Sequence, residues 1–161
     1  MNILAIKTKK IVPGDNIFEI LDTSLPKKFE DKTIVAISSK IIAICEGRIV
    51  KKINDKQRDE LAKKESELYL PRSVNQYNYM ITVNHGVLLG SGGIDESNGN
   101  GNFILWPKDP QESANKIRDF LVKKYKKPNI GVIIVDSKST PLRWGATGFA
   151  LAHSGFMALK D

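Results

Sequence analysis

The sequence predicts an α+β protein, a mixed β-sheet with flanking helices, organised as one unit over residues 1–161. Three observations point there. Two compact β-branched runs, KTIVAISS at 32–39 and NIGVIIVDS at 129–137, read as buried strands. DPQESANKIRDFLVKKY at 109–125 has the start signals and the spacing of an amphipathic helix. Strands and helices follow one another without the strict alternation of a doubly wound parallel sheet.

The elements are expected in this order. NILAIKT at 2–8 forms a first strand. In PGDNIFEILDTS, Asp15 caps a short helix with Ile17, Ile20 and Leu21 on one face. After the 32–39 strand, SSKIIAICEGR is a strand-to-helix junction that Ser38 or Ser39 caps and Gly47 stops. DKQRDELAKKESEL at 55–68 is a charged surface helix. YMITV and GVLLGS are two further strands. In the 109–125 helix, Asp109 is the N-cap, Pro110 sits at N1 and Glu112 at N3, as in a capping box. Ala114, Ile117, Leu121 and Tyr125 share its apolar face. The strand at 129–137 ends in Asp136.

Composition narrows the function. Apolar residues are 41% of the chain, enough for a packed core, and no apolar run is long enough for a membrane span. The single cysteine, Cys45, has no internal partner, and the N-terminal apolar stretch is too short for a signal peptide, so a cytoplasmic setting is expected. Cys45 itself reads as core. The net charge of +7 favours anionic partners, but the lysines are spread out and no aromatic ladder accompanies them. A nucleotide or another small polyanion fits better than nucleic acid.

The richest segment is VNHGVLLGSGGIDESNGNGN at 83–102. Asn98-Gly99 and Asn100-Gly101 suit hairpin turns. A calcium loop starting at Asp95 fails, because Asn100 and Trp106 stand where it needs glycine and glutamate. A magnesium or phosphate site remains, with Gly90, Gly92 and Gly93 letting backbone N–H groups approach a phosphate. Asp136, followed by Ser137, is the second carboxylate such a site needs, or else a turn cap. Arg143 stands ready to neutralise a phosphate or pair with Asp136. Ser39-Lys40, where a strand runs into a helix, suits a phosphate, although Lys40 alone reads equally well as a surface lysine. His85, before Gly86, is expected in a turn rather than as a base.

Three blocks, SSKIIAICEGRIV, HGVLLGSGGIDESNG and GVIIVDSKSTPLRWGATGFALAHSGF, together with IVPGDNI, resemble the CofE-type γ-glutamyl ligases. That family adds L-glutamate to the precursor of the deazaflavin coenzyme F-420 and uses GTP. The resemblance implies a CofE-like fold, lacking the family's C-terminal part, and a reaction through an acyl phosphate with Mg²⁺ or Mn²⁺. By matching motifs it implies Asp95, Asp136 and Ser137 as metal ligands. It implies Ser39, Lys40 and Asn98 as GTP contacts, and places Thr8, Lys9, Lys10 and Ile11 along the nucleotide. No catalytic nucleophile is assigned. The partners implied are L-glutamate and a carboxylate-bearing acceptor, either the coenzyme precursor, a folate or another acid.

The chain also departs from the pattern. Ile44 stands where the family has a second lysine, the stretch after Asp136 lacks the family's glycine and aromatic, and the segment before PGD is lysine-rich. The family's chains run well past this one's end. These departures keep open a non-catalytic nucleotide-binding or assembly module, and, more weakly, a basic nucleic-acid-associated protein. An uncovered apolar surface at Phe149, Leu151, Phe156, Met157 and Leu159, and with it a homodimer, is expected.

Overall fold

The computed structural model describes residues 2–74, 76–97, 99–140 and 142–159, with Asp55 through its backbone only. The elements run α1 (Ile17–Ser24), β1 (Ile34–Ser38), α2 (Ser39–Cys45), β2 (Ile49–Lys51), α3 (Asp55–Glu65), β3 (Leu68–Leu70), β4 (Ile81–Asn84), β5 (Val87–Gly90), β6 (Asn102–Ile104), α4 (Pro110–Tyr125), β7 (Gly131–Lys138) and β8 (Thr147–Ser154). The class is α+β, as the sequence predicts.

The central sheet has the order β1-β7-β8. β1 pairs with β7 in parallel, with Ile34 opposite Gly131 and Ser38 opposite Val135, and β7 pairs with β8 antiparallel. β7 is central because it pairs on both sides, and Val132 and Ile134, on the face toward α4, are fully buried. α4 lies against this sheet through Ala114, Ile117 and Leu121, joined by Leu21 of α1 and Ile42 of α2 in one core. Its start is built as expected, with the Asp109 carboxylate accepting from the Glu112 N–H at 2.8 Å and Pro110 in the first turn. Glu112 does not complete a capping box; it pairs with Lys116 one turn on, at 2.6 Å.

A second core gathers Ala62, Met80, Ile94, Phe103 and Leu105. It is covered by α3 and by the antiparallel sheet β3-β4-β5, whose β4–β5 connection turns at His85 and Gly86, both at positive φ. The pair β2-β6 leads into Leu105 and Trp106. Among the described residues no helix is long and apolar enough to cross a membrane.

Several expectations are corrected. NILAIKT is not a strand: residues 2–12 have no regular structure, and Ile3 and Leu4 are exposed. An apolar run registers as a strand only where another strand's backbone pairs with it, and none does so here among the described residues. Asp15 does not cap α1. Its carboxylate is taken by Lys9 Nζ at 2.5 Å and the Val12 N–H at 2.9 Å, and Asn16 caps instead by accepting from the Phe18 N–H. Ser38 is the residue before α2 but makes no side-chain cap. β7 runs two residues beyond Asp136, because β8 pairs with it as far as Lys138 opposite Thr147. The C-terminal apolar surface is smaller than expected, since Leu151 packs on the core and Phe149 and Phe156 are half-buried, which leaves Met157 and Leu159 exposed. Cys45 is half-buried at the end of α2 and lines a cavity of about 390 Å³ with Phe18, Ile42 and Ile117, rather than sitting in the core. Burial, with Asp15 and Glu46 nearby, pushes its thiol up to about 11 and keeps it protonated at neutral pH.

If α4 is the clamp on the central sheet, Leu121→Ala should cost about 2–5 kcal/mol in urea unfolding. The exposed Lys123→Ala, one turn face away, should stay within about 0.5 kcal/mol.

Candidate functional site

Parallel pairing of β1 and β7 sends both carboxyl ends to the same edge of the sheet. β1 ends directly in Ser39 and Lys40, the first residues of α2, and β7 delivers Asp136 and Ser137. The edge beyond the carboxyl ends of parallel strands is a usual place for a ligand. A cleft of about 310 Å³ opens there, lined by Asp95, Ser97, Trp106, Asp136, Ser137 and Arg58 among others. The two aspartates chosen from the sequence thus share one cleft, and it lies at the seam between the two cores.

Asp95 follows a tight 3-10 turn at Ser91–Gly93 and is fixed by reciprocal backbone bonds with Ile104, at 2.9 and 2.8 Å. Beyond it the chain turns back at Asn100-Gly101, both at positive φ, with the Asn102 N–H bonded to the Gly99 carbonyl at 3.0 Å. The hairpin expected there is present; Asn98 lies outside the described residues.

Lys40 reaches across from α2. Its ammonium meets Asp95 Oδ2 at 2.6 Å, the Ser97 hydroxyl at 2.9 Å and the Ser97 carbonyl at 3.1 Å. The second Asp95 oxygen accepts from the Ser97 N–H at 2.6 Å. Burial alone would raise the Asp95 carboxyl; the Lys40 and Ser97 bonds outweigh it and hold the group below its ordinary value. Lys40 is therefore not a free surface lysine: it does not itself line the cleft but is tied to Asp95 and Ser97, two residues that do.

Asp136 is held differently. Its Oδ2 accepts from the Trp106 indole N–H and its Oδ1 from the Ser137 N–H at 2.7 Å. Trp106 is buried and anchored through its carbonyl by Arg48 Nε at 3.0 Å. A β-bulge between Ile134 and Val135, where β8 carries the extra residue, shifts the register just before Asp136. Gly93 lies against the same indole: a Cβ built there would stand 2.5 Å from Trp106 Cε2, and its φ of +76° also favours glycine.

Other expected site residues are placed elsewhere. Ser39 is buried beneath the cleft edge. Thr8, Lys9, Lys10 and Ile11 do not line the cleft, and Lys9 is engaged with Asp15. Gly92 does not offer its N–H outward; it donates to Thr82 Oγ1 at 2.9 Å, inside the second core. Arg143 bonds the Thr147 hydroxyl, not Asp136. Trp106, Ser97 and Arg58 are site residues that sequence reasoning missed. Ser97 had a signal, as a hydroxyl beside the chosen aspartate; Trp106 and Arg58 become visible only once the chain is folded.

The donor set suits one kind of cation. Among the described residues no group of three or more His, Cys, Asp or Glu side chains is arranged to hold an ion by itself. Two carboxylates and a hydroxyl in one cleft match Mg²⁺ or Mn²⁺, which share their shell with water and phosphate. Both oxygens of Asp95 and of Asp136 already accept a hydrogen bond here, and a carboxylate oxygen has room for a further partner.

The fold and this cleft define an α+β protein with two carboxylates at the carboxyl edge of a parallel strand pair. The match is specific: over residues 5–161 the chain fits the family model of F420-0:Gamma-glutamyl ligase, and it belongs to that family. It is similar to the coenzyme F420:L-glutamate ligase of Methanocaldococcus jannaschii, 37% identical over 82% of this chain and 58% of that protein. It is also similar to the enzymes of that name from Archaeoglobus fulgidus (31% identical, 94% of this chain and 65% of that protein) and Methanopyrus kandleri (29%, 95% and 66%). The chain thus spans 58–66% of the length of these relatives.

Two outcomes follow. Gly93→Ala should push the indole away from Asp136 and cost about 1–3 kcal/mol in denaturant unfolding, with a changed tryptophan emission. Asp95 has a folded-state pKa below its unfolded value of about 3.9. Its contribution is therefore present above that pH and is lost as the pH falls through the folded value. Asp95→Asn should accordingly destabilise by less than about 1 kcal/mol at pH 7, because the pair is part-exposed, and the difference from wild type should vanish in strong acid.

Proposed function

We propose that this chain is the ligase domain of a GTP- and divalent-metal-dependent γ-glutamyl ligase that joins L-glutamate to a carboxylate of the deazaflavin coenzyme precursor or a related acid. The observation that supports this most is the meeting of Asp95, Asp136 and Lys40 at one sheet edge. The γ-phosphoryl group of GTP passes to the acceptor carboxylate, giving an acyl phosphate and GDP. The amine of L-glutamate attacks the acyl carbon, the C–O bond to phosphate breaks, and the amine loses a proton as the amide forms. Asp95, Asp136 and Ser137 would hold the cation, which neutralises charge on the phosphate oxygens when bound. Lys40, at the start of α2, is placed to exchange its Ser97 contacts for a phosphate oxygen. Trp106 orients Asp136 and shields one side of it from water. The chemistry needs positioning and charge neutralisation, not a nucleophilic side chain.

A nucleotide-binding module without turnover is the second reading. Ile44, standing where the resemblance places another lysine, favours it. A folate-type acceptor belongs to the first reading and is a matter of substrate, not of mechanism.

The proposal extends to a homodimer, through a different face from the one expected. On the outer side of β3-β4-β5, Leu68, Leu70, Ile81, Val83 and Leu88 are neighbours by register, with Leu68 67% and Leu88 59% exposed. Such a face suits a second copy, a stable dimer needing roughly 800 Å² from each partner. Sedimentation at micromolar concentration should show a dimer that Leu88→Lys converts to monomer; a wild-type monomer would remove this part.

In thermal shift, GTP with Mn²⁺ at a hundredfold excess over Kd should stabilise the chain by about 2.7 kcal/mol relative to the ligand-free chain, and ATP with Mn²⁺ at the same concentration by less. Lys40→Ala should weaken that binding by roughly 10- to 100-fold, the loss of a charge-assisted hydrogen bond. Equal responses to GTP and ATP would contradict the nucleotide assignment. GTP binding without amide formation, in the presence of acceptor and L-glutamate, would select the second reading.

A further inference from the structure

We infer that Arg58 is a positioning residue for the metal-binding loop, acting from α3 through Asp95. The inference rests on the ligase reading for its meaning, but its geometry stands independently. The Arg58 guanidinium spans Asp95 without touching it. Nη2 donates to the carbonyl of Ile94, the residue before, at 3.2 Å, and Nη1 meets Glu96 Oε1, on the residue after, at 3.3 Å. Glu96 Oε2 is held in turn by Lys52 Nζ at 2.9 Å. With Lys40 on Asp95 and Ser97, cationic side chains from α2, α3 and the chain after β2 grip four consecutive residues, Ile94 to Ser97.

The loop needs such a grip. It follows three consecutive residues at positive φ, Ser91, Gly92 and Gly93, and it carries Asp95 to a cleft also lined by Asp136, whose strand β7 packs into the other core. Without a fastening, the backbone bonds to Ile104 would fix Asp95, and residues 96 and 97 would be held only within the loop, by the Ser97 N–H on Asp95 and the Gly99 N–H on the Glu96 carbonyl. Arg58 suits the task because its planar fork bonds a carbonyl and a carboxylate at once; a lysine ammonium at the end of its flexible stem lacks that fixed spacing. The acidic residue after Asp95 thereby gains a role: Glu96 is the handle by which Arg58 and Lys52 hold the loop, not a ligand.

The test has two arms. In the ligand-free protein, hydrogen exchange should quicken in residues 94–97 of Arg58→Gln by tenfold or more, while the β7 amides keep wild-type protection. Arg58→Lys should show an intermediate increase, and it serves alone if the glutamine variant does not fold. Unchanged exchange in 94–97 would overturn the inference. The second arm titrates Mn²⁺ with GTP, followed by the Mn²⁺ paramagnetic resonance signal, in a cycle of Arg58→Gln and Asp95→Asn. If Arg58 acts through Asp95, Arg58→Gln lowers affinity about tenfold in the wild-type background and has little effect once Asp95 is asparagine. Equal losses in both backgrounds would mean that Arg58 touches the ligand itself, and would overturn the inference. A wild-type chain that binds no Mn²⁺ with GTP would defeat the ligase reading instead, and exchange would then decide the clamp by itself.

Discussion

The cleft depends on one pairing, the parallel register of β1 with β7. Parallel strands place their carboxyl ends on the same edge, so a lysine that follows the first and an aspartate on the second face one opening, although nearly a hundred residues separate them in sequence. Had β1 run antiparallel, Lys40 would stand at the far end of the sheet from Asp136. The pairing is held by burial: Val35, Ile37, Val132 and Ile134 face α4 and its neighbours in a core that is closed to water. The site's polar groups thus rest on apolar packing that lies directly behind them.

A second constraint is the Lys40–Asp95 contact, which bridges the two cores. It fixes an ammonium beside one of the two carboxylates that line the cleft. Neither side chain is deeply buried, so the pair adds little stability. Its consequence is geometric: Asp95 stays ionised and aimed, and Lys40 stays extended toward the place where phosphate would bind. Trp106 serves Asp136 in the corresponding way with a neutral donor. The two carboxylates are therefore held differently, one by an ammonium and one by an indole.

Much of this was legible before folding. β1, β7, the β4–β5 hairpin and α4 follow from β-branched runs, a turn glycine and a capped apolar stripe, because each of these is a local signal. Asp95, Asp136 and Lys40 were legible because polar residues stood where apolar runs ended. What was not legible is pairing. β2, β3 and β6 have three residues each, too few for a period to show. NILAIKT looks like a strand and has no strand partner among the described residues. Asp15 looks like a cap, but its carboxylate is taken by Lys9 and the Val12 N–H. Trp106 and Arg58 reach the cleft across distances that no spacing in the sequence encodes.

The central claim is that Asp95 and Asp136 hold one divalent cation beside a nucleotide phosphate. Anomalous diffraction at the manganese edge, on crystals grown with Mn²⁺ and a non-hydrolysable GTP analogue, addresses it directly. The account predicts one or more manganese peaks between the two carboxylates, with metal–oxygen distances of roughly 2.0–2.3 Å and the Lys40 ammonium turned from Ser97 to a phosphate oxygen. Manganese bound elsewhere, or a nucleotide seated away from this cleft with Lys40 still on Ser97, would contradict it.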